Sequence, residues 1–364
     1  MIQEVKVADK KTLDEVKEIA NNLSDYLSSG CVTTLSCGDE LDISESISTL
    51  LYDFAFGSAV VLNNEIHILG GNYSTDSRTK HYKWNGSSWE CVSTLPYNFY
   101  NGGAVVLNNE IHILGSSTTA YTTNHYKWNG TEWTRVSTLP YNFKMASAVI
   151  LNGEIHILGS GTTACTTNHY KWNGSSWTSV STLPYGFYDG SAVVLNGEIH
   201  KLGGGGNQTY HCKWNGTEWT EVSTLPYNFY AGSAVVLNGE IHILGSNTSS
   251  VNYTKHYKYN GSSWSSVSTL PYNFYYGCAV VLNNEIHILG SQNGTGNTSH
   301  YTIQKGIYRR LLLYLFAGNQ INAKDAIYPI TNCTKSTNTL TVTDDGVVEF
   351  GVETTEYTTI LNIS

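Results

Sequence analysis

The chain has 364 residues and a formal net charge of −9, and 13% of its residues are Asp, Glu, Lys or Arg, about half the usual ~25%. The apolar fraction is 40%, and Ser, Thr, Asn, Gly and 26 tyrosines make up the difference, a profile of β-strands joined by tight turns. These figures exclude a coiled-coil rod and a collagen, and the negative balance would repel a phosphate backbone, so no nucleic-acid partner is expected.

The first 11 residues, MIQEVKVADKK, lack the apolar centre of a secretory signal. Residues 12–29 read as a helix, with Thr12 and Glu15 as a capping box and Gly30 as its stop. Leu13, Val16, Ala20, Leu23 and Leu27 fall at alternating a and d heptad positions. Two heptads are marginal alone, so residues 1–30 are expected to pack on the rest of the chain or to zip with copies of themselves. Self-association is favoured, with a trimer as the form a fibre would take. No run of 18 apolar residues occurs, so no membrane-inserting helix is expected.

From residue 43 onward the chain repeats itself. HYKWNG and its variants begin at His81, His125, His169, His211, His256 and His300, and the EIHILG phrase places its His at 67, 112, 156, 200, 242 and 287. STLPYNF-type segments begin at Ser93, Ser137, Ser181, Ser223 and Ser268, and an altered copy, Ser48–Phe54, stands upstream. Each unit parses into four short strands. SAVVLN leads through Asn-Gly or Asn-Asn into EIHILG, residues that tolerate the positive φ of a type I′ turn. A polar loop follows, then HYKW, a second Asn-Gly turn and SSWxxVSTL, which Pro96, Pro140, Pro184, Pro226 and Pro271 terminate.

Two hairpins per ~44 residues describe a propeller blade. The pattern resembles the kelch family, whose markers stand here as the Gly pairs Gly70-Gly71 and Gly203-Gly204 and as Tyr and Trp with six residues between them, such as Tyr82 and Trp89. Ser replaces the second Gly at 116, 160, 246 and 291, and Cys212 once replaces the Tyr. The resemblance covers residues 43–304 and implies an all-β, six-bladed propeller within a domain spanning 43–306. Six first hairpins stand against five second hairpins. Ile43–Leu50 is therefore expected to supply the missing fourth strand beside His300–Gln304 and so remove exposed strand edges. Arg309–Phe316 is the other candidate for that place. Each recurring Trp can bury ~150–250 Å², roughly 4–6 kcal/mol of transfer energy per indole, so the regular Trp set reads as packing ahead of sugar stacking.

In such a meander the minimal turns lie at one rim, and the two-to-three loops and blade links lie at the other. The links carry a pair that differs in every copy: Ala55-Phe56, Tyr100-Asn101, Lys144-Met145, Tyr188-Asp189, Tyr230-Ala231 and Tyr275-Tyr276. Positions that repeat serve the blade; positions that vary are free to serve a partner. Phe56, Tyr100, Asn101, Lys144, Met145, Tyr188, Asp189, Tyr230, Tyr275 and Tyr276 are accordingly the candidate ligand-binding residues, combining rigid aromatic area with hydrogen-bonding arms.

All twelve His are locked to the repeat. Their spacing suits packing or hydrogen bonding rather than a metal, and neither a metal nor a cofactor is expected. The Glu that opens each second strand reads as solvated, the Asn-x-Ser/Thr sequons read as turn chemistry, and the seven unphased Cys read as incidental thiols. Residues 307–364 read as a small β domain, with NTLTVTD and VVEFGVE joined at Gly346, that a neighbouring chain could complete.

No catalytic motif is legible, and Asp boxes of the sialidase type are absent from the sequence. The expectation is a non-enzymatic recognition protein, a tail-fibre or receptor-binding appendage of a virion, whose partners are a host-surface glycan or protein, copies of itself and other virion proteins. The alternatives are a kelch-type protein-interaction scaffold in the cytoplasm or at the cell surface, and a sugar-acting kelch enzyme such as a mutarotase or an oxidase.

Overall fold

The structure, a computed structural model, describes residues 42–71, 77–118, 120–161, 165–205, 209–248, 253–292, 298–305, 338–342 and 348–352. The expected helix with Leu13, Val16, Ala20, Leu23 and Leu27 lies outside the described residues, as does Arg309–Phe316.

Ser44–Gln304 form one compact unit of six four-stranded sheets. Blade two is representative, with strands Gly103–Leu107, Glu110–Leu114, Asn124–Trp128 and Trp133–Thr138 in meander order. The first turn forms for the expected reason: Asn108 and Asn109 sit at φ 51° and 63°, and Asn152 and Gly153 at 52° and 76°, the left-handed pair that a type I′ turn requires. The second connection differs from the expected two-residue turn. It spans four residues, and strand four begins at Trp133, not before it. Asn129 Oδ1 accepts from the backbone N–H of Thr131 and Glu132 and from the Thr131 hydroxyl, so the Asn-Gly-Ser/Thr sequence is an Asx turn. A bulge also falls between strands three and four, where His125 opposes Ser137 but Tyr126 opposes Arg135.

The ring closes through the leading strand. Asp42–Thr49 pairs with Ser299–Lys305 and completes the sixth sheet, as the repeat count requires. The core lies between blades. Val105, Leu107 and Leu114 of blade two pack with Phe143 of the following link and with Ile155, Ile157 and Trp172 of blade three. Six link phenylalanines, from Phe54 to Phe274, are fully buried.

A hydrogen-bonded relay repeats along the seams. His112 Nδ1 and His125 Nε2 lie 2.8 Å apart, and His125 Nδ1 meets Ser137 Oγ at 2.8 Å. That same oxygen accepts from Trp177 Nε1 of blade three at 2.9 Å. The His125 ring meets Trp172 and Trp177 edge-on. At the closing seam Ser48 of the leading strand takes the serine's part, bonding His300 Nδ1 at 2.7 Å and accepting from Trp89 Nε1 at 3.0 Å. Burial lowers the pKa of His67, His112, His156, His200 and His287 to about 4, and that of His81, His125, His169, His211 and His300 to about 3. The histidines thus serve as neutral structural hydrogen-bonding groups.

The turn-rim carboxylates are not simply solvated. Glu65, Glu110, Glu154, Glu198 and Glu240 pair with Lys83, Lys127, Lys171, Lys213 and Lys258 at 2.8–3.0 Å, half-exposed contacts worth ~0–1 kcal/mol each. Cys91, Cys165, Cys212 and Cys278 are free thiols. In the C-terminal region Asn338–Val342 and Val348–Val352 form an antiparallel hairpin, the two strands read from the sequence.

Candidate functional site

The two-to-three loops and the blade links share one rim. Ser117 N donates to Tyr100 O, Gly161 N to Lys144 O, Gly205 N to Tyr188 O, Asn247 N to Tyr230 O and Gln292 N to Tyr275 O. The Ser that replaces the second Gly joins the same junction. Ser116 Oγ donates to Asn98 O and accepts from Tyr100 N, and Ser246 Oγ does the same with Asn228 O and Tyr230 N. Where Gly is kept, at Gly71 and Gly204, φ is 89° and 88°, a conformation costly for any side chain.

The second residue of every variable pair stands at the axis in the left-handed region. Phe56, Asn101, Met145, Asp189, Ala231 and Tyr276 have φ between 50° and 59°. Their peptides close a circle: Asn101 N donates to Phe56 O, Met145 N to Asn101 O, Asp189 N to Met145 O, Ala231 N to Asp189 O, Tyr276 N to Ala231 O and Phe56 N to Tyr276 O, all at 2.6–2.8 Å. Non-glycine residues visit this region at a cost of ~1–2 kcal/mol, and the six hydrogen bonds hold them there. Because the constraint falls on the backbone, the side chain is left to vary. No signal in the sequence marks this annulus except that variation.

Phe56, Asn101, Met145, Asp189 and Tyr276 line a cavity of about 100 Å³ on the axis, together with Ala231 and the small residue that follows each pair, Ala146 in one link and Gly in the other five. That is far below the ~300–1,000 Å³ of sites that enclose a drug-sized ligand, so it admits a projecting group. The first residues of the pairs build its surround. Tyr100 lies against Phe56, with ring centroids 5.0 Å apart, and Phe56 against Tyr276 at 4.2 Å. Tyr230 meets Tyr188 and Tyr276 edge-on, and Tyr275 flanks Tyr276. Arg78 stacks over Tyr100 with its guanidinium carbon 4.8 Å from the ring centroid. The structure thus gathers nine of the ten candidate residues into ring contacts or the cavity lining. Lys144 joins through its backbone bond to Gly161.

Two polar groups stand out in this lining. Tyr230 Oη donates to Asp189 Oδ2 at 2.8 Å. Burial pushes the Asp189 carboxyl up from 3.8 to about 6, an effect the Tyr230 hydrogen bond partly opposes. Asn101 is buried, and its Nδ2 has no hydrogen-bond partner among the described residues. The axis therefore offers an acceptor, a spare donor and aromatic walls.

Blade four, which follows Asp189, departs most from the repeat. Lys201 replaces an Ile and is fully buried; its Nζ lies 4.7 Å from the centroid of the Phe187 ring and donates to Gly203 O at 3.2 Å. Its cross-strand neighbour is Cys212, where the other blades with a Trp-bearing second hairpin hold Tyr. A Cβ on Gly205 would run into the Tyr188 ring, so that glycine makes room for the aromatic wall. The Cys departure is visible in the sequence, but its link to Lys201 requires the strand register.

These features define a six-bladed β-propeller with one plain rim and one varied axial rim. The solved structure of YjhT is similar to this chain at a TM-score of 0.59 and 14% sequence identity, over 71% of this chain and 95% of that one; at that identity the likeness concerns the fold. No protein-family model and no curated protein matches the chain.

Proposed function

We propose that this is a non-enzymatic recognition protein, a virion tail-fibre or receptor-binding appendage that contacts a host-surface glycan or protein through the axial rim. The observation that carries this reading is the division of labour among residues. Those that repeat are consumed by seams, turns and relays, whereas those that differ converge on the axis, where a shared backbone circle displays six unlike side chains. A spare amide donor and a carboxyl acceptor among aromatic rings suit a hydroxyl-bearing ligand, and the small cavity suits the tip of a larger surface. The polar, tyrosine-rich, weakly charged composition suits an adaptable contact face.

A glycan array tests it. Binding is expected for the full chain, and Tyr230→Ala and Tyr275→Ala should each weaken it with folding retained; binding that survives both substitutions places the site elsewhere. Mass measurement in solution should give a trimer. A monomer that captures a protein partner but no glycan favours the second reading, a kelch-type interaction scaffold, which the propeller fold itself supports.

A further inference from the structure

We infer that the corner of the axial rim formed by Tyr188, Asp189, Tyr230 and Tyr276 receives a cationic ammonium group carried by the ligand. This rests on the proposed recognition role of the axial rim and names the chemistry of one part of it.

Asp189 is a partly buried carboxylate in the lining of the axial cavity, and among the described residues it has no ion pair; its side chain accepts a hydrogen bond from Tyr230 alone. A partly desolvated charge without an opposite charge is costly to keep. The backbone favours Asp or Asn there but does not require either. Phe56, Met145, Ala231 and Tyr276 hold the same left-handed position in the same circle, so the conformation does not call for an acid. The cost is explained if the partner charge arrives with the ligand. Tyr230, whose hydroxyl reaches the carboxylate, meets the rings of Tyr188 and Tyr276 edge-on at 5.8 and 6.5 Å, and Tyr276 lines the same cavity as Asp189. Aromatic rings beside a carboxylate stabilise an alkylammonium by cation–π attraction and direct charge pairing, and weakly hydrated quaternary ammonium gains most from such a setting. The axial cavity, of about 100 Å³, is suited to the head group alone. The charge has two possible sources: an amine on a sugar or a quaternary ammonium on another surface molecule. The recognition chemistry is shared.

Ligand-observed saturation-transfer NMR on the full chain at pH 7.5 tests this. The probes are choline against its neutral isostere 3,3-dimethyl-1-butanol, and glucosamine against N-acetylglucosamine. The expected result is saturation of at least one cationic probe, no comparable signal from its neutral counterpart, and at least a tenfold loss of affinity in Asp189→Asn. Asn tolerates the left-handed backbone, so the fold should persist, as circular dichroism would verify. Glucosamine alone binding identifies the charge as sugar-borne; choline alone identifies it as quaternary. Equal binding of the neutral probes, unchanged affinity in Asp189→Asn, or no binding by either cation overturns the inference. A positive glycan array alongside any of those results would leave the recognition role standing, whereas cation binding with a negative array would count against the glycan and not against this corner.

Discussion

At Asp189 the energetics of folding and the proposed role pull in opposite directions. Its pKa stands at about 6 in the fold against 3.8 for an ordinary carboxyl. A raised value means that the folded state favours the protonated form. The associated stability is present in full below pH ~4 and is lost as the pH rises through about 6. Asp189→Asn removes that loss. The variant should therefore be more stable than the parent at pH 7.5 by about 1–3 kcal/mol, since each tenfold change in proton affinity corresponds to ~1.4 kcal/mol, and the gap should close towards pH 4. Denaturant titrations at both pH values measure it. Equal stability at pH 7.5 would mean that the carboxylate is well solvated. Lys201 and Cys212 make a related point, since a long buried side chain and a shortened neighbour occur together in the blade that seats Tyr188 and Asp189.

Among the elements, the leading strand has the largest consequence for its length. Ser48 joins blade six to blade one by bonding both His300 and Trp89. Ser268 fills the same place in blade five and bonds His256, but the fourth strand of blade six, Asp42–Thr49, carries no Trp to donate to it. The seam without a continuous chain thus carries the full relay. Ser48→Ala should cost about 1–3 kcal/mol, the penalty of leaving buried partners unsatisfied, and more than Ser268→Ala. Urea unfolding of the two variants compares them, and an equal or reversed order would deny the strand its role as a closure. Much of this level was legible beforehand. The strands, their Asn-Gly turns and the need for a borrowed fourth strand follow from counting copies, because each copy must satisfy its own ladder. The Asx form of the second turn, the bulge at His125/Tyr126 and the relay were not. A relay joins residues of two different copies, and a bulge is a property of pairing, so neither leaves a local pattern.

Across the whole molecule the relays make stability depend on acid. Ten buried histidines have pKa values depressed to about 3–4 by burial, and burial lowers His256 well below its ordinary value too. The unfolded chain binds these protons near pH 6.5 and the folded chain does not. Stability contributed by the neutral histidines is therefore complete above pH ~6.5 and declines steadily towards pH 3–4. The denaturation midpoint should fall continuously between pH 7 and pH 5, and a flat profile over that interval would show that the histidines are solvated. The candidate site was legible as a set of varying positions and as a rim, because topology assigns loops to ends. Its centre was not, since the circle of peptide bonds, the burial of Asn101 and the meeting of Tyr230 with Asp189 appear only when six distant segments meet.

The most direct test of a recognition surface at the axis is tyrosine footprinting of the full chain with and without a bound host glycan from the array. Tyr100, Tyr188, Tyr230, Tyr275 and Tyr276 should lose reactivity on binding, while the strand-three tyrosines Tyr82, Tyr126, Tyr170 and Tyr257 keep theirs. Protection of the strand-three set, or of the Asn-Gly and Asn-Asn turn rim in a parallel hydroxyl-radical experiment, with the axial tyrosines unchanged, would contradict it.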